Sequence, residues 1–316
     1  MIHNTKKTCF LSSDTRNTRA TVGSLLKNTK IPFVLTIIDN GSVDDTGIYL
    51  DSLKPNEFLR QVHIIRNKEN MGVGFAYNQG LKVSIDNRYE FSCFCNNDLY
   101  FASGWLDKML VCIKEKPNVA ALNPLRTALR TKYNAKVSTM EKLLSLEETD
   151  DWRKELESFT EMAVEDFDTF TQNVVQQNKA PLEIIKFPDS LSTCVCLCRT
   201  AAYKELGYFA DPDYPKYGGE DIDMCWAIMA LGYDCAICHD TYVHHFRGKS
   251  IKSLDRQQLL KVSNQILYQK WRKDLLGFLQ SNPDILQNLH TSDAEQYWML
   301  RYLDKDIDFA KELQNV

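Results

Sequence analysis

Between Thr8 and Asn123, short apolar runs of strand length alternate with stretches whose apolar residues recur at helical spacing. Thr8–Ser12, Phe33–Ile38, Val62–Ile65, Phe91–Cys95 and Asn118–Asn123 read as strands. Arg16–Asn28, with Val22, Leu25 and Leu26 in phase, reads as a helix, as does the segment from Val73-Gly74 through Leu81. This alternation with short connections predicts an α/β fold, a mostly parallel sheet with helices on both faces. The pattern then breaks. Arg126 to Pro181 has no strand signal but keeps helical spacing, as in Leu143, Leu144, Leu146 and Phe159, Met162, Val164, and reads as a helical insertion over about 126–185.

Past the insertion, Leu191–Cys198 alternates with period two, which places Cys194, Cys196 and Cys198 on one face and Val195 and Leu197 on the other. A helix follows Gly219, with Ile222, Cys225, Trp226 and Met229 as its buried stripe and Gly232 as terminator. On that wheel Asp221 lies off the stripe and Glu220 further round, so both carboxylates point out of the core. Tyr233–His239 is strand-like, and Val243–Ser250 reads as a loop. The 251–316 extension is helical in pattern. Leu259, Val262, Ile266 and Leu267 lead to Trp271, with amphipathic stretches at Ile285–Leu289 and Trp298–Leu313 that support the fold, cover an acceptor or form an oligomer contact.

A chain of 316 residues makes one large or two modest domains, and a formal charge of −4 argues against general attraction to nucleic acid or anionic membrane. The start lacks the apolar core of a signal peptide and no stretch has the length of a membrane span, so a cytoplasmic protein without integral membrane association is expected. The ten cysteines then read as reduced, buried small residues. Cys235-x-x-Cys238-His239 matches a haem-attachment pattern, but in a strand-like run without an export signal haem is rejected. A zinc site joining Cys235, Cys238 and the later histidines competes there with plain strand packing.

The carboxyl ends of strands are where open α/β sheets hold ligands. Asp39 and Asn40 end one run, and Asn96-Asn97-Asp98 end another. Asp39 can accept from a base N–H such as that of uracil, Asn70 can reach base or ribose, and Gly72 and Gly74 let the backbone come close. Asp98 suits a divalent cation bridging two phosphates. A polar turn and a plain loop glycine pair are the simpler readings of these motifs taken singly. His244 or His245 can complete the metal site, and Arg247 or Lys249 can neutralise diphosphate charge. The basic opening, Arg126, Arg130, Lys132 and Lys136 around Tyr133, is either surface charge or a phosphate contact, and the acidic run from Glu141 through Asp168 reads as a solvated face.

Taken together, Ile38-Asp39-Asn40-Gly41-Ser42, Asn70-Met71-Gly72, Asn96-Asn97-Asp98, Gly219-Glu220-Asp221-Ile222-Asp223 and His245-Phe246 resemble a family-2 glycosyltransferase of the GT-A (Rossmann-like) fold, over about Thr8 to Ser250. The resemblance implies an inverting hexosyl- or pentosyltransferase using a nucleotide sugar, foremost a UDP-sugar, with Mn²⁺ or Mg²⁺. It implies Asp39 as base-recognising acid, Asp98 and His245 at the metal and Asp221 as catalytic base; from the residues themselves a domain over 1–250 is expected, with Asn40, Asn70, Gly72, Asn97, Asp98, Arg247 and Lys249 around the donor and Glu220 beside Asp221 as second catalytic carboxylate. Asn96 departs from the family's Asp-x-Asp, which removes one ligand charge. The Gln-x-x-Arg-Trp motif of processive synthases is absent, Gln269-Lys270-Trp271-Arg272 being no match. The acceptor is a glycan, a protein or a hydroxylated DNA base, and a non-catalytic nucleotide-sugar-binding module is the alternative.

Overall fold

The computed structural model describes residues 6–12, 15–126, 167–177, 182–246, 256–289 and 297–315, with 6–12 as backbone. Most of the 126–185 insertion, together with Arg247, Lys249 and Ser250, lies outside the described residues. Strands β1 (Lys6–Ser12), β2 (Phe33–Asp39), β3 (Leu59–Arg66), β4 (Phe91–Cys95), β5 (Leu99–Phe101), β6 (Val119–Arg126), β7 (Leu182–Ile185), β8 (Val195–Arg199) and β9 (Asp234–His245) form a 9-stranded sheet. Its order is β3-β2-β1-β4-β8-β6-β9-β5, with β7 also on β9. The sheet is parallel across β3-β2-β1-β4, as the alternation predicts. Beyond β4 it is mixed: β8 runs antiparallel between β4 and β6, while β9 is parallel to β6 and antiparallel to β5 and β7.

Helices α1 (Thr15–Asn28), α2 (Thr46–Ser52) and α4 (Trp105–Glu115) cover one face, where Val22, Leu25, Leu50, Trp105 and Met109 pack on Leu35, Ile37, Cys93 and Cys95. Helices α3 (Val73–Asp86), α6 (Thr200–Leu206), α7 (Glu220–Ala230) and α8 (Arg256–Ser281) cover the other, with Tyr77, Tyr203, Trp226 and Leu267 around Phe94, Cys196 and Cys198. A smaller cluster joins α5 (Phe167–Gln177) to Leu125 and Tyr242. Helices α9 (Pro283–Asn288), α10 (Trp298–Leu303) and α11 (Phe309–Gln314) complete the tail. None of the described helices is long and apolar enough to cross a membrane.

The structure corrects several expectations. Leu182–Ile185, assigned to the helical insertion, is strand β7, built by pairing with β9 rather than by its own sequence. Val243–His245, expected in a loop, is the end of β9, held by β5. Cys194 precedes β8, so the period-two rule does not reach it: it packs with Val195 and Leu197, while Cys196 and Cys198 face the opposite layer. Cys235 and Cys238 are three residues apart in a strand and enter opposite layers, which removes the zinc site expected to pair them. Val262 is exposed; Leu267 is buried as the helical pattern requires.

Candidate active site

The end of β2 places Asp39 and Asn40 at the carboxyl edge of the parallel strands. The Asp39 carboxylate accepts from the Ser42 amide at 2.9 Å, which closes the turn through Gly41. Asn40 anchors the neighbouring loop: its amide nitrogen donates to Asn70 Oδ1 at 3.0 Å and to the Gly72 carbonyl at 3.1 Å, and its oxygen accepts from Asn67 Nδ2 and the Met71 amide. Asn70 Oδ1 also accepts from the Gly72 amide at 2.9 Å. These two amides hold the loop in shape. Gly72 has φ of 91°, and a Cβ there would lie 2.6 Å from the Lys216 backbone, so only glycine lets the loop approach the segment leading to α7.

At the end of β4 the three polar residues diverge. Asn97 is buried against α1, its amide 3.3 Å from Thr18 Oγ1, so its side chain faces the fold rather than the edge. Asn96 Oδ1 lies 2.7 Å from the Tyr77 hydroxyl, and its Nδ2 lies 3.4 Å from His245 Nε2. Asp98 is 4% exposed, and its Oδ1 is 3.0 Å from His245 Nε2. The ladder between β5 and β9 makes this contact. It pairs Leu99 with His245, and the Phe246 amide continues it to the Asp98 carbonyl at 2.9 Å. Strand alternation sends His244 the other way, into the core beside Tyr242 and Phe246. His245 is therefore the histidine that meets Asp98.

Burial alone would lower the His245 pKa, but the Asp98 carboxylate and Cys194 outweigh it and push it up to about 9. Burial would raise the Cys194 thiol, yet Arg126 and His245 draw it down to about 6. Asp98, His245 and Cys194 thus form a buried polar row, and the sequence pattern had treated Cys194 as packing. Its signal was available only through β8 following directly on it, across from Asn96, whose amide donates to the Cys194 carbonyl at 2.8 Å.

The second group of carboxylates starts α7. Gly218 and Gly219, with φ of 96° and 81°, turn the chain beneath Leu260 and Tyr214 so tightly that a Cβ would collide with either. Asp221 is partly exposed, as expected, and its Oδ1 accepts from the Ile222 amide at 3.0 Å. Glu220 does not point out of the core. It is 8% exposed, and among the described residues its Oε2 has no hydrogen-bond partner. Burial and the neighbouring Asp221 carboxylate push Glu220 up to about 8. Burial also raises Asp221, which the Arg126 guanidinium opposes. Arg126 acts on both Cys194 and Asp221, and Glu220 on Tyr77, so the row at Asp98 and the start of α7 share one electrostatic neighbourhood.

Asp98 and His245 fit a divalent cation. Adjacent ligands of an octahedral ion with metal–ligand distances of about 2.05 Å lie about 2.9 Å apart, and Asp98 Oδ1 and His245 Nε2 are 3.0 Å apart. The Asp98 carboxylate and water suit Mn²⁺ or Mg²⁺, and of the two the His245 imidazole favours Mn²⁺, the transition ion, over the oxygen-seeking Mg²⁺.

The family model described as glycosyl transferase family 2 matches residues 15–174. No curated protein matches. Among solved structures, GalNAc-T7 with UDP, GalNAc and Mn²⁺ is similar at a TM-score of 0.57 and 14% identity, covering 99% of this chain and 56% of its own; this chain thus spans little more than half of it. S. aureus TarS 1-349 in complex with UDP-GlcNAc is similar at 0.53 and 15%, covering 98% of this chain and 81% of that one. The mannosyltransferase PcManGT from Pyrobaculum calidifontis, with GDP-Man and Mn²⁺, is similar at 0.52 and 12%, covering 98% and 78%.

Proposed function

Because the chain belongs to glycosyl transferase family 2, we propose that it moves a sugar from a nucleotide-sugar donor, foremost a UDP-sugar, to a hydroxyl acceptor by one inverting displacement. The observation that supports this best is the pairing of Asp98 with His245 at 3.0 Å beside a helix that opens on Glu220-Asp221. The similar structures containing UDP-GlcNAc, GDP-Man and Mn²⁺ agree with it.

Asp39 receives the base at the end of β2, and the loop held by Asn40 and Asn70 lines the nucleoside side. Arg247 and Lys249 lie outside the described residues, and their role is proposed from their charge alone, as cations able to neutralise the diphosphate. When bound, a divalent ion held by Asp98 and His245 neutralises the diphosphate leaving group. His245, protonated at neutral pH beside Asp98, would give up its Nε2 proton to serve as a ligand. Asp221 is the more exposed of the two carboxylates and is assisted by Arg126, so it is the base. It takes the proton of the acceptor hydroxyl as that oxygen bonds to the anomeric carbon and the bond from that carbon to the diphosphate oxygen breaks. One displacement inverts the centre. Glu220, uncharged near neutral pH, does not compete for the proton and can donate a hydrogen bond from within the site.

Asp221→Asn is expected to lower turnover by about 10²–10⁴-fold, the usual contribution of a general base, while donor affinity stays within a few fold. Weak donor binding with substantial turnover would remove Asp221 from that role. Asp98→Ala is expected to abolish the metal dependence of donor binding; an unchanged metal titration would place the ion elsewhere.

A further inference from the structure

On the layer that packs against α4, β9 does not follow β6 evenly. Cys238 faces Pro124, and Tyr242 faces the next residue, Leu125, so His239, Asp240 and Thr241 are extra on β9. Such a bulge re-aims side chains, and here it leaves Asp240 beside Cys238 and against Cys112 of α4. Cys112 Sγ is 3.0 Å from Cys238 Sγ and 3.6 Å from Asp240 Oδ2, and the three donor atoms all lie within 4.8 Å of one another. Both thiols are buried, and Asp240 is partly open to solvent. Packing of small residues accounts for two buried thiols. It does not account for a carboxylate held against them.

Two sulfurs and one carboxylate oxygen form a donor set suited to zinc. With Zn–S of about 2.3 Å and Zn–O of about 2.0–2.2 Å, tetrahedral geometry gives an S···O edge of about 3.6 Å and an S···S edge of about 3.8 Å. The Cys112–Asp240 separation already matches, and the sulfurs need part by only about 0.8 Å. We propose that Cys112, Cys238 and Asp240 form a three-ligand zinc site, open to water at its fourth position, that clamps α4 to the β9 bulge. Zn²⁺ takes both sulfurs as thiolates and releases two protons to solvent, and water fills the fourth position on the side of Asp240. The clamp lies apart from Asp98 and His245 and shares no residue with them. Through the bulge it fixes where β9 resumes and hence where His245 falls.

The test uses the full chain, reduced, with Co²⁺ as the spectroscopic probe and Zn²⁺ as competitor. Wild type and Asp98→Ala are expected to show the same intense sulfur-to-cobalt charge-transfer band, displaced by Zn²⁺ at one equivalent. Cys112→Ser should lose it. Asp240→Asn, a change at a partly exposed position that the fold should tolerate, should keep the band but release the metal at least ten-fold more readily to a chelator. Absence of the band in reduced wild type overturns the proposal. So does a band that survives Cys112→Ser, which would assign the thiolate to another cysteine such as Cys194, or unchanged metal release from Asp240→Asn. A Cys112–Cys238 disulfide with no metal uptake after reduction would show that the pair is a redox link instead.

Discussion

Glu220 and Asp221 are adjacent in sequence yet unequal in surroundings, and that inequality separates their chemistry. The folded protein holds a proton on Glu220 up to about pH 8, whereas the ordinary value is 4.5. Between those values the native state binds the extra proton, so its stabilisation is complete below 4.5 and is lost as pH rises through about 8. His245 acts in the same sense, its contribution complete below 6.5 and lost as pH rises through about 9. The melting temperature of the metal-free protein should therefore fall from pH 5 to 8, and Glu220→Gln should flatten that fall. Parallel curves for the two proteins would mean that Glu220 ionises normally. The motif was legible at this scale, since Asp98, Asp221 and His245 stand out by type and order. The burial of Glu220 was not, because it depends on the double-glycine turn pressed under α8.

Among elements, α8 acts on the candidate site through Asp223. This carboxylate is fully buried on the first turn of α7, with Trp271 Nε1 2.7 Å from its Oδ1 and Lys270 Nζ 2.9 Å from its Oδ2. Lys270 also bonds Asp211, and Ser263 donates to the Tyr217 carbonyl at 3.0 Å, so α8 holds both the helix start and the loop before it. Trp271→Phe keeps the ring but removes the donor, and should cost about 1.5–3 kcal/mol, the range for a hydrogen bond to a charged group. Denaturant unfolding measures it, and an unchanged midpoint would show that Asp223 does not need the indole. Gly72→Ala should cost about 1–3 kcal/mol for a positive-φ extended backbone open essentially to glycine alone, and weaken donor binding through the collision with Lys216; equal affinity would uncouple that loop from the donor. Long elements with strong periodicity were readable in the sequence. The three-residue β5 and the four-residue β7 were not, since each exists by pairing with β9.

For the whole molecule, the parallel half of the sheet follows from local alternation, while the mixed half depends on β8 and β9 returning after a long excursion. Local pattern marked the start of β9 at Tyr233–His239 but carries no information about its pairing with β5, which is why the end of the strand, which delivers His245, read as a loop. The two halves would supply different parts of the proposed site: Asp39 and Asp98 from the first, Asp221 and His245 from the second. The most direct test is a thermal-shift panel of UDP-, GDP- and dTDP-sugars on wild type and Asp98→Ala, each with and without Mn²⁺. A ligand at a hundred times its dissociation constant adds ~2.7 kcal/mol, or several degrees for a chain of this size. A UDP-sugar is expected to raise the wild-type melting temperature by that amount only when Mn²⁺ is present, and Asp98→Ala to show no such rise. No shift with any nucleotide sugar under either condition, or an equal shift in Asp98→Ala, would contradict it.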